Sequence, residues 1–292
     1  MKEDVGFVML RTRVLRLRPT GMFSNVNEVV EHLRLAKAGG YQFVINWRES
    51  CYADPARNGD PWSYYFEPVF PHLRKPILPS LLKKLPTGKA VACTIDNIIT
   101  PRLQDGQCDP LLLPRDRLGA NRLMADHIRP NTTVAQIATE FRATRFRSKV
   151  IGLHIRGPGR TDGGVPNLRR KLDAVGKVPF APFFEALDEK LQTMPDAAIF
   201  ACSDSSQVIE AVQDRYGDRV ITYAATRSVF GEMHADHAEN AGQVFEPYKL
   251  GMDVLVEALL LASTDFFVHG NSNVANFVLC QSPALDHAYV AA

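Results

Sequence analysis

Hydrophobic positions in the second half of the chain follow two periods, one typical of strands and one typical of helices. Short apolar runs that predict buried strands are KVIGLHI, AAIFACS, RVITYA and DFFVHG. Apolar residues with helical spacing occur in APFFEALDEKLQTM, SQVIEAVQDRY, MDVLVEALLLAS and NVANFVLC. The strands and helices alternate along the chain, which predicts an α/β protein with a parallel sheet.

The first half of the chain carries the same pattern less regularly. Helical spacing runs through NVNEVVEHLRLAKAGG and ends at two glycines, where helices commonly stop. The strand-like run YQFVINW follows, and TTVAQIATEFRAT predicts a further helix before KVIGLHI. Residues 101–130 contain scattered prolines, and we predict an irregular segment there. Two Rossmann-like halves, residues 1–147 and 148–292, fit this pattern and the length of the chain.

Composition and charge are those of a soluble globular protein. Of the 292 residues, 46% are hydrophobic and 23% are charged, so the chain can bury a sizeable core. A net charge of +2 gives no support for binding to nucleic acid or to an anionic membrane surface. The five cysteines form no C-x-x-C pair, which argues against a disulfide framework and a structural zinc site.

The beginning of the chain does not resemble a targeting segment. Apolar and basic residues alternate from Phe7 to Arg18, whereas a signal peptide has a continuous apolar core. No apolar stretch has the length needed to cross a bilayer. We therefore expect a cytoplasmic protein without a membrane segment.

Polar residues are concentrated in three loops that directly follow predicted strands. Arg156, Arg160 and Asp162 follow KVIGLHI, while residues 203–206 and 269–273 follow the strands AAIFAC and DFFV. Ligands of such sheets bind beyond the carboxyl ends of the strands, so the three loops should converge. The last two loops also open helices, whose amino ends attract anions. Each loop alone could be a helix cap, but together with two arginines they predict a phosphate or diphosphate site.

Familiar motifs for nucleotides and metals are missing from the sequence. It contains no G-x-x-x-x-G-K-[ST], and GPGRTDG does not match G-x-G-x-x-G, which disfavours a P-loop enzyme and a dinucleotide dehydrogenase. The stretch HADHAEN, with His234, His237 and Glu239, has the spacing of no known zinc motif. We interpret it as a polar loop and predict no metal site.

Five segments, in the same order along the chain, resemble the fucosyltransferase superfamily, which includes nodulation and core α-1,6-fucosyltransferases and protein O-fucosyltransferases. They are TGMFSNVNEVVEHL, INWRESCYADPARNGDPWSYYFEPVF, HIRGPGRTD, IFACSDSSQVIEAV and MDVLVEALLLASTDFFVHGNSNVANFV. The resemblance covers most of the chain. It implies a GT-B fold, in which two Rossmann-like domains face each other across a cleft. It also implies GDP-fucose as donor, inversion at the anomeric carbon, and no metal or other cofactor.

The resemblance further implies roles for individual residues. Arg156 would be the arginine of a His-x-Arg motif and would stabilise the departing diphosphate, for which its permanent charge and paired donors are suited. His154 would lie beside the nucleoside, and Glu257 would accept hydrogen bonds from guanine. The other positions that the matching motifs assign to donor binding are Asn25, Asp204, Gly270, Ser272 and Asn273.

The loop after the His-x-Arg motif departs from the family pattern. A Gly-Pro-Gly stretch separates Arg156 from Arg160, whereas relatives place two arginines side by side. Relatives also carry a later glutamate proposed as the catalytic base, and residues 156–170 contain none. Asp162 is the nearest carboxylate and becomes the candidate base. A dissociative mechanism that needs little assistance from a base is also open.

Two other functions remain open at this stage. Because the altered loop lies where the sugar would bind, the donor could be another GDP-sugar or another nucleoside diphosphate sugar. The missing glutamate also fits a degenerate relative that binds nucleotide without transferring sugar, or a non-catalytic interaction protein. The acceptor, expected to be a glycan or another hydroxyl compound, should bind mainly to the first half of the chain.

Overall fold

The described part of the chain begins with a β-α-β unit. The computed structural model describes residues 11–71, 114–157, 161–162, 165–166, 180–228, 233 and 245–290. Strand β1 (Arg11–Arg16) leads into helix α1 (Met22–Gly39), and β2 (Tyr41–Asn46) returns parallel to β1. Helix α1 ends because Gly40 adopts the left-handed conformation, with φ of 61°, which glycine reaches without a steric penalty. Helix α1 and strand β2 thus confirm the predictions made from NVNEVVEHLRLAKAGG and YQFVINW.

Three helices lie between this unit and the main sheet in the described residues. They are α2 (Trp62–Tyr65), α3 (Pro114–His127) and α4 (Thr132–Arg145). Helix α4 confirms the prediction from TTVAQIATEFRAT. The prediction of an irregular segment for residues 101–130 is wrong for residues 114–127, which form α3. The helix accommodates Pro114 because this residue stands at the first helical position, where its missing N–H removes no helical hydrogen bond.

The second half of the chain forms a parallel sheet of five strands, as the alternating pattern predicts. Strand β3 (Val150–His154) is buried along its whole length and is followed by a short antiparallel ladder of β4 (Thr161–Asp162) and β5 (Val165–Pro166). The other strands of the sheet are β6 (Ala198–Cys202), β7 (Val220–Ile221), β8 (Phe266–His269) and β9 (His287–Tyr289). The spatial order β7-β6-β3-β8-β9 puts β3 at the centre. The sequence did not predict the short edge strand β9 of this sheet, nor the two-residue strands β4 and β5.

In the described residues, four α-helices connect the strands of this sheet. They are α5 (Ala181–Thr193), α6 (Ser206–Tyr216), α7 (Pro247–Leu261) and α8 (Asn273–Gln281). Because the strands are parallel, all their carboxyl ends lie at the same end of the sheet, and α6 and α8 begin at that end. None of the helices in the described ranges is long and apolar enough to cross a membrane.

Elements from the two halves of the sequence share one hydrophobic core. Phe23 of α1 packs against Phe277 of α8 with ring centroids 4.5 Å apart. Tyr65 approaches α7 so closely that a Cβ atom on Gly251 would lie 2.4 Å from its ring, which explains a glycine inside that helix. The first half is therefore fixed directly to α7 and α8. The boundary between residues 147 and 148 stays a prediction.

Candidate functional site

The carboxyl ends of the central strands bring two of the predicted loops into contact. Asp204, which follows β6, accepts a hydrogen bond at Oδ1 from the backbone N–H of Gly157, at 2.6 Å. The other oxygen, Oδ2, lies 3.9 Å from Nε of Arg156, and both side chains are only 20% exposed. Arg156 and Asp204, a cation and an anion, thus lie side by side just beyond the carboxyl ends of the central strands.

The position of Arg156 is set by the central strand. Ile155 is completely buried, and its N–H donates to the carbonyl oxygen of Cys202 at 3.3 Å, so the contact with β6 continues past His154. Arg156 is the next residue and therefore emerges directly from the ordered sheet. Its planar guanidinium presents paired donors in a fixed geometry, which suits a phosphate group.

The third loop lies on the other side of β3. Ser272 Oγ is 3.3 Å from Nδ1 of His154 and accepts a hydrogen bond from the N–H of Ala275 at 3.0 Å. Ser272 is therefore the N-cap of α8 as well as a neighbour of His154. Gly270 lies in the same loop, and a Cβ atom there would lie 3.1 Å from the Phe183 ring, so this position favours a residue without a side chain. The amino ends of α6 and α8 thus flank Arg156, as expected of an anion site.

Two asparagines from the matching motifs tie helix α1 into this region in different ways. Asn273 Oδ1 accepts a hydrogen bond from Nδ2 of Asn27 at 3.3 Å, which links α8 to α1. Asn25 is completely buried, and its amide bonds to the loop before α1. Oδ1 accepts from the N–H of Arg18 at 3.0 Å, and Nδ2 donates to the carbonyl oxygen of Thr20 at 3.0 Å. Because these contacts occupy its amide, Asn25 orders that loop, and an influence on the donor would be indirect.

The predicted base-binding acid, Glu257, forms a buried ion pair with Arg227. The carboxylate Oε1 accepts from Nη2 of Arg227, and the side chains are 10% and 11% exposed respectively. Burial raises the pKa of Glu257 to about 8, while the Arg227 charge acts in the opposite direction. The apolar neighbours of Glu257 in the sequence indicated that it needs a partner, but no sequence signal identified Arg227.

Strands β3, β8 and β9 each carry a histidine, and two of these, His154 and His269, are buried. Nε2 of His269 lies 3.2 Å from Nδ1 of His287, and His269 pairs with His154 across β3 and β8. Burial, more than any other cause, lowers the pKa of His269 to about 3. Its ring is therefore neutral near pH 7 and serves as a hydrogen-bonding group. Within the described ranges, His, Cys, Asp and Glu side chains form no group of three that could hold a metal ion.

One curated protein is similar to this chain over most of its length. Nodulation protein Z of Bradyrhizobium diazoefficiens is 26% identical to this chain over 293 residues, which cover 86% of this chain and 74% of that protein. The chain is therefore similar in sequence to this nodulation protein over most of its length. No protein-family model matches it.

Solved structures of fucosyltransferases share the fold of this chain. The crystal structure of Bradyrhizobium NodZ α-1,6-fucosyltransferase with GDP superimposes with a TM-score of 0.56 at 18% identity, covering 95% of this chain and 93% of that one. A variant of Arabidopsis thaliana FUT1 in complex with GDP gives a TM-score of 0.54 at 11% identity, covering 96% of this chain and 70% of that one. The predicted GT-B class of α/β fold is therefore confirmed.

Some of the predicted site residues lie outside the described part of the chain. Arg160 is one of them, as are His234, His237 and Glu239 of the HADHAEN stretch. Asp162 is described only by its backbone, which pairs with Val165 in the ladder of β4 and β5. The roles of Arg160 and Asp162 therefore stay predictions.

Proposed function

We propose that this chain is an inverting, metal-independent glycosyltransferase that transfers fucose from GDP-fucose to a hydroxyl group of a glycan or a similar acceptor. The observation that carries the proposal is the contact between Arg156 and Asp204 at the end of the central strand, flanked by two helix amino ends. This arrangement suits a diphosphate. The related NodZ enzyme was crystallised with GDP and soaked with GDP-fucose, which supports the choice of donor.

In the proposed reaction, an acceptor hydroxyl attacks the anomeric carbon of fucose from the face opposite GDP. The new glycosidic bond forms as the bond to the β-phosphate oxygen breaks, and GDP leaves with the bonding electrons. Negative charge then grows on that oxygen, where Arg156 and the N–H groups of the helix ends would stabilise it. Because arginine keeps its charge throughout, no metal is required for this role.

The acceptor hydroxyl must also lose its proton. Asp162 is our candidate for the base, since it is the nearest carboxylate after Arg156 in the sequence. If the bond to GDP breaks before the acceptor attacks, the anomeric carbon becomes so electrophilic that the hydroxyl needs little help. Replacement of Asp162 by asparagine distinguishes these routes, because loss of a base lowers turnover while the affinity for the donor is kept.

Glu257 would recognise the base of the donor. Guanine presents two adjacent N–H donors on one edge, and a carboxylate can accept from both. Uracil presents a different edge. His154, Ser272, Gly270 and Asn273 lie around the end of β3 and the start of α8, where they would contact the rest of the nucleotide.

The proposal is tested by incubating the purified full-length chain with GDP-fucose, GDP-mannose and UDP-sugars and measuring nucleotide release. We expect release of GDP from GDP-fucose, and inversion would be read from the anomeric configuration of the product by NMR. Preferential release from another sugar nucleotide would show a different donor. Binding of GDP without release from any donor, over a panel of glycan acceptors, would contradict a transferase.

A further inference from the structure

Arg227 lies in residues 222–228, an irregular segment that directly follows β7, and is opposite Glu257. Its Nη1 donates to the carbonyl oxygens of Tyr223 and Ala225, at 3.2 and 2.9 Å, and its Nη2 donates to Glu257. Two of these contacts are to its own backbone segment, so the guanidinium keeps its place independently of Glu257. Its Nε is buried and has no hydrogen-bond partner among the described residues, an arrangement that costs stability. A buried donor without a partner calls for an explanation, and a role of Arg227 at the nucleotide site would supply one.

The segment that carries Arg227 is anchored on two sides. The backbone N–H and Oγ1 of Thr226 both donate to Asp253 Oδ2 of α7, at 2.7 and 2.9 Å. The N–H of Ser228 donates to the carbonyl oxygen of Asp204 at 3.0 Å, and Ser228 accepts in turn from the N–H of Ser206 at 2.8 Å. Arg227 is therefore fixed both to the helix of Glu257 and to the loop that contacts Arg156.

The charges around Glu257 make it depend on this arginine. The titratable and charged groups that face it are Arg227, Lys249, Asp253, Asp204, Cys202 and Tyr223. Burial and the two aspartates raise the pKa of Glu257, and Arg227 is the strongest influence that lowers it. Without Arg227, the carboxyl group would hold its proton to a higher pH. A protonated carboxyl group loses one acceptor site and cannot accept from both N–H groups of guanine.

We propose that Arg227 is a positioning residue for recognition of the nucleobase: it holds one oxygen of Glu257 in place and favours the charged form, so that the carboxylate can accept hydrogen bonds from the base. This inference rests on the proposed function, because it takes Glu257 as the residue that reads guanine. Arg227 acts through Glu257 and not through contact with the phosphates. Its effect should therefore appear in base preference and pH dependence.

The test measures dissociation constants of GDP and UDP by calorimetry for the full-length chain between about pH 6 and pH 8.5. Arg227→Met should weaken GDP binding by about tenfold to a hundredfold, the scale of a charged hydrogen bond, and leave UDP binding unchanged. GDP binding should improve with rising pH in both chains, and in this variant the improvement should occur at a higher pH than in the unaltered chain. Adding Arg227→Met to Glu257→Gln should cause no further loss of GDP preference.

Controls separate this effect from misfolding. Arg215→Met removes an arginine from an exposed ion pair with Asp188 and should change neither the preference nor its pH dependence. Replacing both buried partners, as Arg227→Met with Glu257→Met, leaves no isolated charge and should fold even if the single variant does not. That double variant should bind GDP and UDP equally. Arg227→Lys, which keeps the charge but not the fork of donors, should retain part of the preference.

The outcomes distinguish the two proposals. If the unaltered chain does not prefer GDP over UDP, the assignment of Glu257 to guanine fails, whatever Arg227 does. If the unaltered chain prefers GDP and Arg227→Met keeps both the preference and the pH profile, the role of Arg227 is wrong. An equal loss of GDP and UDP binding would also overturn it, because that is the effect of a merely structural residue.

Discussion

The Asp204 carboxylate accepts a hydrogen bond from the backbone N–H of Gly157 at 2.6 Å, which fixes the residue that follows Arg156. The same carboxylate faces Arg156 at 3.9 Å. One acid from the loop after β6 thus orders the loop after β3. This contact joins the two loops before any ligand arrives, so the site is preorganised where the diphosphate would bind.

Replacing Asp204 by alanine should slow turnover more than it weakens donor binding. Gly157 loses a charged acceptor and Arg156 loses a nearby opposite charge. A hydrogen bond to a charged group is worth about 1.5–3 kcal/mol. We expect kcat for GDP release to fall by about tenfold to a hundredfold. Asp188→Ala, which removes an exposed acid from the ion pair with Arg215, serves as the control. An Asp204→Ala enzyme with normal kcat and KM would show that Asp204 does not order Arg156.

Glu257→Ala should remove the preference for GDP over UDP. If the carboxylate accepts from guanine, its loss should cost about 1.5–3 kcal/mol of GDP binding and leave UDP binding almost unchanged. Thermal shifts with the two nucleotides give a first reading, and calorimetry gives the dissociation constants. Equal affinities of the unaltered chain for GDP and UDP would argue against Glu257 as the guanine reader.

Transfer should continue in the presence of EDTA. In the proposed mechanism, Arg156 and the helix amino ends provide the positive charge at the diphosphate. The rate of GDP release should therefore be the same with and without the chelator. A loss of activity that Mg²⁺ or Mn²⁺ restores would contradict the proposal and would make the HADHAEN stretch a candidate source of ligands.

Acid should destabilise the fold through His269. Burial lowers the pKa of this residue from 6.5 to about 3, so between these values the unfolded chain binds a proton that the folded chain does not. Stability contributed by the neutral ring is present above pH 6.5 and is lost as the pH falls, at up to about 1.4 kcal/mol per pH unit. His269→Phe, which keeps a ring beside Phe267, should show a smaller slope in denaturant melts between these pH values. If the variant and the unaltered chain lose stability with the same slope, His269 is not the source of the acid sensitivity.

The sequence predicted most of the strands and helices in the second half, because these elements are long enough to show the spacing of apolar residues typical of each. Helix α6 agrees with the prediction at both ends, and β3 differs by one residue at each end. The three-residue strand β9 is too short for an alternating pattern. Helix α3 was missed because its sequence, PRDRLGANRLMADH, is strongly polar and lies in a segment with many prolines.

The site was predictable where residues follow strands and was not predictable where a contact joins distant segments. Arg156 and Asp204 each follow a strand directly, so the topology alone indicates that they approach each other. Arg227 is separated from Glu257 by 30 positions and lies in an irregular segment without a motif. Asn25 matches a family motif, but a motif does not reveal that the amide is occupied by its own loop.

The most direct test of the proposed function compares GDP release from GDP-fucose by the unaltered chain and by Arg156→Lys at saturating donor and acceptor. Lysine keeps the charge but loses the paired donors, so we predict that kcat falls by about a hundredfold or more. Arg215→Lys, at an exposed ion pair, should leave kcat unchanged. If Arg156→Lys retains nearly full turnover, the diphosphate is stabilised by other residues and the assignment of this site is wrong.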